Sequence, residues 1–120
     1  MPEVAQTLPE GCPLVEKTSF DAAGDGLLDI LDRLGRRSVI VCGPETHVCV
    51  YQTVRSLLGH GCRVFPVQDA ICSRFEENYR SGLALMSQMG CAVVTAEAVA
   101  FDLLKVSGTP AFKVVSKALK

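Results

Sequence analysis

Reactive residue types concentrate in Gly43-Pro44-Glu45-Thr46-His47-Val48-Cys49-Val50. There a Gly-Pro turn leads from a short apolar run into a helical pattern, with Thr46 expected as the N-cap. Cys49 then falls in the first helical turn, beside backbone amides that lack an intrahelical partner. That setting favours a thiolate through the helix dipole and offers amides to a developing oxyanion. The chemistry would be nucleophilic attack by sulfur on an electrophilic carbon. Spacing alone is equally compatible with Cys49 as a buried packing residue. His47 stands two residues away on the same helix, where side chains do not face each other. His60 lies beyond that helix. Both histidines therefore read as ordinary, partly exposed residues, and no metal is assigned. Lys17, at the end of Leu14-Val15-Glu16-Lys17, is the better partner, because an ammonium beside a thiolate stabilises the anion and can contact a carbonyl oxygen. Taken alone it reads as a solvent-exposed lysine.

Other reactive types have simpler readings. The six cysteines stand at 12, 42, 49, 62, 72 and 91 with no C-x-x-C pair, so all six are expected as reduced thiols. Gly24-x-Gly26 and Gly59-x-Gly61 complete no phosphate-loop motif. Asp69 is expected to cap its own turn, and Arg74 to pair with a local carboxylate. Asp21, Asp25, Asp29 and Asp32 read as a solvated face.

The elements that must position these residues follow from periodicity. Residues 1–13, rich in Pro and Gly, read as an irregular lead-in. Leu14–Lys17 is a candidate short strand. Leu27, Ile30, Leu31 and Leu34 form one helical face that stops at Gly35. Val39–Cys42 is a β-branched run between breakers, expected as a strand covered on both faces. Val50, Val54, Leu57 and Leu58 make the next helical stripe, ending at Gly59. Arg63–Gln68 is a strand in which Pro66 demands an edge or a bulge. Ser73-x-x-Glu76 has the form of a capping box, opening a helix with Tyr79, Leu83, Met86 and Met89 on one face. Ala92–Thr95 is a third strand, and Thr95 caps a helix through Leu104. Gly108-Thr109-Pro110 breaks the chain before a last helix, Phe112–Leu119. Alternating strands and helices at this spacing predict an α/β domain with a parallel sheet and flanking helices, one domain over residues 1–120. In such sheets ligands sit beyond the carboxyl ends of the strands, here Cys42-Gly43-Pro44, Gln68-Asp69-Ala70 and Thr95-Ala96.

Composition narrows the function classes. Hydrophobic residues make up 48% of the chain and charged residues 21%, which excludes wholesale disorder. The net charge of −1 leaves no basic surplus for a phosphate backbone, so nucleic acid is not expected as a partner. No apolar run is long enough to span a membrane, and Met1-Pro2-Glu3-Val4-Ala5, with an early acid and no basic-then-apolar block, is not expected to be a secretory signal. The expected location is cytoplasmic, with a mitochondrial or peroxisomal variant if a targeting segment lies upstream.

The strand Val39–Cys42, the turn Gly43-Pro44-Glu45-Thr46 and the helix carrying Val48-Cys49-Val50 resemble the nucleophile region of the isochorismatase-like (cysteine hydrolase) superfamily. Glu16-Lys17-Thr18-Ser19-Phe20 resembles its catalytic-lysine segment, and Asp69-Ala70-x-x-Ser73-Arg74 the segment after its next strand. The 32-residue spacing from Lys17 to Cys49 and the Pro110-x-Phe112-Lys113 tail are similar to the isochorismatase domain-containing protein subgroup. The resemblance implies a doubly wound, Rossmann-like fold and an Asp–Lys–Cys triad. Within it Cys49 would be the nucleophile and Lys17 its supporting cation. Backbone amides of Glu45 and Cys49 would hold the oxyanion, and a cis peptide would join Pro44 to Glu45. It implies a small-molecule substrate, an amide or related C–N compound, no cofactor and a homo-oligomer.

The family's aspartate lies upstream of the lysine, and the sixteen residues before Lys17 contain none. The expectation is a domain without its first strand–helix–strand unit, with Met1 an internal methionine or an alternative start. An enzyme weakened by that loss and a non-catalytic interaction or oligomerisation module then stand as the two readings.

Overall fold

The computed structural model describes residues 2–119. Two parallel strands, β1 (Ser38–Pro44) and β2 (Arg63–Cys72), form the sheet. Val94 joins the other side of β2 through a single parallel bridge to Val67. The helices are α1 (Pro2–Ala5), α2 (Leu27–Leu34), α3 (Tyr51–Gly59), α4 (Glu76–Gln88), α5 (Ala96–Leu104) and α6 (Pro110–Ala118). A 3₁₀ turn at Ala23–Asp25 precedes α2, and a wide helical turn at Thr46–Val50 precedes α3. This is the α/β arrangement with a parallel sheet and flanking helices that the periodicity predicts. Among the described residues no helix is long and apolar enough to cross a membrane.

The core lies between one sheet face and α2, α3 and α4. Leu31, Val50, Val54, Leu57, Val64, Ile71 and Met86 are buried there with Cys62 and Cys91, and Val39, Val41 and Leu83 pack against them. The helical stripes read from the sequence supply most of this set. Burying a side chain the size of Leu57 or Met86 stabilises by about 1.5–3 kcal/mol. On the other face, α5 stands off from the sheet across a cavity of about 650 Å³ lined by Ile40, Phe65, Val94, Ala98, Val99 and Leu103. Helix α6 docks on α5 through Phe101 and Phe112, whose ring centroids are 5.9 Å apart.

Several expectations are corrected. Residues 12–17 carry no strand, because no second backbone pairs with them to form a ladder. One helical turn, α1, interrupts the irregular lead-in. Strand β1 is not covered on both faces: it alternates, with Ser38, Ile40, Cys42 and Pro44 exposed and Val39 and Val41 half-buried. Only the face toward α2–α4 is packed; the other opens on the cavity. The third strand shrinks to the Val94 bridge. Strand β2 runs to Cys72, four residues further than expected. Pro66 has no N–H, and the register slips beside it, from Val41↔Pro66 to Gly43↔Ile71. The proline thus sits where the ladder bulges.

The caps also differ. Phe75, not Ser73, precedes α4, with no side-chain cap; Ser73 is drawn to His47 instead, and Glu76 pairs with Arg80 at 2.7 Å. Asp69 does cap, but across space, since its Oδ1 accepts from the Ala96 amide at the start of α5 (2.8 Å). Thr95 caps α5 as expected, accepting from the Ala98 amide (3.1 Å). Helix α6 starts two residues early, at Pro110, because Thr109 caps it and proline suits the first helical position. The aspartates are not one solvated face. Asp21 accepts from Ser56 Oγ and from the Ala23 amide, Asp25 from Ser19 Oγ, and Asp32 binds His60 and Arg37 at 2.9 Å each.

Helix α4 crosses the wide helical turn that precedes α3 at Gly82. A Cβ built there would lie 2.9 Å from the His47 nitrogen and the Thr46 carbonyl carbon. Those are backbone atoms and cannot swing aside. Gly82→Ala is expected to destabilise by about 1–3 kcal/mol, read as a lowered melting temperature. Gly59→Ala, with nothing within 4 Å, should leave it unchanged or raise it. A second expectation concerns pH. The hydrogen bond from His60, then the charges of His60 and Arg37, hold the Asp32 carboxyl below the usual carboxylate range. The folded form therefore gains stability above the unfolded value of about 4, and loses it as pH falls through the lower folded value. Urea midpoints of Asp32→Asn should fall less steeply with acid than those of the parent.

Candidate functional site

The turn that carries the reactive residues is built at the carboxyl end of β1. Gly43 adopts φ +114°, a region only glycine occupies comfortably. The peptide joining Pro44 to Glu45 is cis. The chain then winds into a helix whose first turn is one residue too wide. The amides of Val48 and Val50 both donate to the Glu45 carbonyl oxygen at 3.1 Å, before the winding tightens at Tyr51. Thr46 is not the N-cap. It is fully buried, its methyl faces Gly82, and its Oγ1 has no hydrogen-bond partner. The residue before the helix is Glu45, whose carbonyl does the anchoring.

Cys49 is half-buried in this turn. Lys17 is exposed, and its Nζ donates to the carbonyls of Ser19 (2.9 Å) and Phe20 (3.2 Å). No hydrogen bond joins it to Cys49. The loop that holds Lys17 is nonetheless laid along the helix that holds Cys49. The Ala22 amide donates to Thr53 Oγ1 (3.0 Å), and Ser56 Oγ donates to Asp21. Thr53 and Ser56 lie four and seven residues beyond Cys49, on the same helical face.

The segment after β2 closes on the same turn. Arg74 Nε lies 2.7 Å from Glu45 Oε1, so the carboxylate expected to be local to Arg74 is near in space and 29 residues away in sequence. His47 Nδ1 lies 3.0 Å from Ser73 Oγ and 3.7 Å from Glu45 Oε2. This group was not legible in the sequence, where His47 reads as an unremarkable histidine and Ser73 as a cap. The signal available was that Ser73-Arg74 follows a strand whose carboxyl end neighbours that of β1. A small cavity of about 250 Å³ adjoins it, lined by Gln68, Ile71, Cys72, Ser73, Glu76 and Tyr79. The larger cavity on the α5 face reaches Ser38 and Arg63 at the opposite, amino ends of the strands, away from Cys49. Among the described residues no cluster of three or more His, Cys, Asp or Glu is placed to hold a metal ion.

The isochorismatase-domain profile matches residues 1–98. Isochorismatase domain-containing protein 2 of Rattus norvegicus is 37% identical over 120 residues, covering 99% of this chain and 57% of that protein. A solved MAR1 ribonuclease from Caenorhabditis elegans superposes with a TM-score of 0.88 and 35% identity, covering 98% of this chain and 60% of that one. A solved nicotinamidase from Bacillus subtilis superposes with a TM-score of 0.63 and 26% identity, over 67% of this chain and 45% of that one. The chain thus spans less than two thirds of the length of each of these relatives.

Burial separates the six thiols. Cys12, Cys42 and Cys72 are exposed, Cys62 and Cys91 buried, and desolvation pushes the Cys91 thiol up from its ordinary value. Brief iodoacetamide treatment of the native protein should modify Cys42 and Cys72 at least about tenfold faster than Cys91, read by peptide mass spectrometry. Equal rates would contradict the burial of Cys91 in the core.

Proposed function

This chain belongs to the isochorismatase family, and from that premise we propose that it is a cysteine-dependent hydrolase acting on a small amide or related C–N substrate. Cys49 is the nucleophile. Its sulfur adds to the carbonyl carbon, the amine leaves with a proton, and water cleaves the resulting thioester to release the acid. Backbone amides of Glu45 and Cys49 receive the negative charge on the carbonyl oxygen. Lys17 supplies the cation beside the sulfur and the oxyanion. The observation that carries this reading is the bonding of the Lys17 loop to Thr53 and Ser56, along the face of the helix that bears Cys49. Lys17 Nζ, which donates to the carbonyls of Ser19 and Phe20, would exchange those partners for the site. Small amides are favoured over a phosphodiester because 12 Lys and Arg against 13 Asp and Glu provide no electrostatic surplus.

The triad implied by the family resemblance also needs an aspartate upstream of Lys17, and these 120 residues contain none there. A general acid–base group typically contributes about 10²–10⁴ in rate. The 120 residues by themselves are therefore proposed to turn over slowly, by about that factor relative to a relative that has the group. Ammonia release from a panel of small amides, nicotinamide included, tests the assignment, together with mass spectrometry for an acyl adduct on Cys49. Slow turnover or adduct formation should vanish in Cys49→Ser, and Lys17→Met should lower it at least about tenfold. Turnover that persists in Cys49→Ser sinks the reading, and so does the absence of both turnover and adduct.

A further inference from the structure

We propose that Ser73 and Arg74 form a two-point latch that positions the Glu45 turn, and through it Cys49, as positioning residues that do not touch the substrate. The proposal rests on the reading of Cys49 as the nucleophile.

The connection is continuous in the structure. Arg74 Nε holds Glu45 Oε1 at 2.7 Å. The carbonyl oxygen of that same Glu45 accepts from the Val48 and Val50 amides, the residues on either side of Cys49. Two residues beyond Glu45, His47 is held by Ser73 Oγ at 3.0 Å. Two consecutive residues of the β2–α4 loop thus grip two residues of the turn, at positions 45 and 47. The grip matters because of where the charge sits. The Glu45 side chain is 24% exposed, and its Oε2 is buried with no hydrogen-bond partner; His47 Nδ1, at 3.7 Å, is too far to supply one. Arg74 is the cation within hydrogen-bonding reach of this carboxylate. A half-buried carboxylate that loses such a partner is drawn toward water, and because Oε2 is enclosed beside the turn, that reorientation disturbs the packing around the Glu45 backbone whose carbonyl closes the first helical turn. The other side of the turn cannot compensate by shifting, because Gly82 already lies against Thr46 and His47. Small displacements of a nucleophile are costly, with about 1 Å costing up to about 10²-fold.

Alkylation of Cys49 by iodoacetamide reads the latch without any substrate. Cys12 serves as an exposed reference thiol and Cys91 as a protected one. Arg74→Gln should slow Cys49 modification roughly three- to tenfold, with the Cys12 rate unchanged and Cys91 still protected. Glu45→Gln should do the same. The Arg74→Gln/Glu45→Gln double variant should be no slower than the slower single variant, since both remove one coupling. Ser73→Ala should slow it less, and Arg74→Lys should recover part of the loss. Where amide turnover is measurable, Arg74→Gln should lower kcat and leave KM within about twofold. Multiplicative losses in the double variant, an unchanged Cys49 rate in Arg74→Gln, or a loss confined to KM would each overturn the proposal. The last of these would make Arg74 a substrate contact. Persistence of turnover in Cys49→Ser would instead remove the hydrolase reading, while the alkylation data would still report whether the latch exists.

Discussion

The approach of α4 to the turn after β1, backbone against backbone at Gly82, is the constraint on which the rest of this molecule depends. A residue with any side chain at position 82 would meet the Thr46 carbonyl carbon and the His47 nitrogen at 2.9 Å. The missing Cβ lets α4 lie low enough for Met86 to reach full burial beside Leu57 and Val54. It also presses Thr46 into a fully enclosed position. The strand end, the wide first turn and α4 therefore form one packed unit. Cys49 sits within that unit, half-buried rather than sealed.

Around this unit the sheet is minimal. Two paired strands and one bridge present a single packed face, and β1 shows the consequence in its alternation. Val39 and Val41 serve the core, while Ile40 is 47% exposed over the cavity beneath α5. The cavity of about 650 Å³ is therefore a product of incomplete packing at the amino ends of the strands. The candidate site lies at the carboxyl ends, where helix starts and loops converge, as ligand sites in such sheets generally do.

Much of the site's construction comes from hydrogen bonds between segments distant in sequence. Thr53 and Ser56 fasten the loop of Lys17; Arg74 and Ser73 fasten the turn of Glu45 and His47. Each uses a residue that local rules assign elsewhere. Ser73 has the spacing of a capping box with Glu76, yet its hydroxyl goes to His47 and Glu76 goes to Arg80. Asp21 has the spacing of a solvated face, yet it ties the 3₁₀ turn to α3. A local partner saves little conformational entropy over water, whereas a tertiary partner fixes one segment against another, and tertiary context overrides the local preference.

By itself the sequence determined the alternation of strands and helices, the apolar stripes that become the core, the Gly43-Pro44 turn into a helix bearing Cys49, and the need for an edge or a bulge at Pro66. These are readable because periodicity, β-branching and the special backbone of Gly and Pro act within a few residues. Only the tertiary structure decided that Leu14–Lys17 would find no strand partner, that Ala92–Thr95 would contribute one bridge, that Thr46 would be buried instead of capping, and that Glu45, His47, Ser73 and Arg74 would meet. Strand pairing, burial of a polar side chain and ion pairing across 29 residues all depend on which surfaces the packed helices bring together, and no local pattern encodes that.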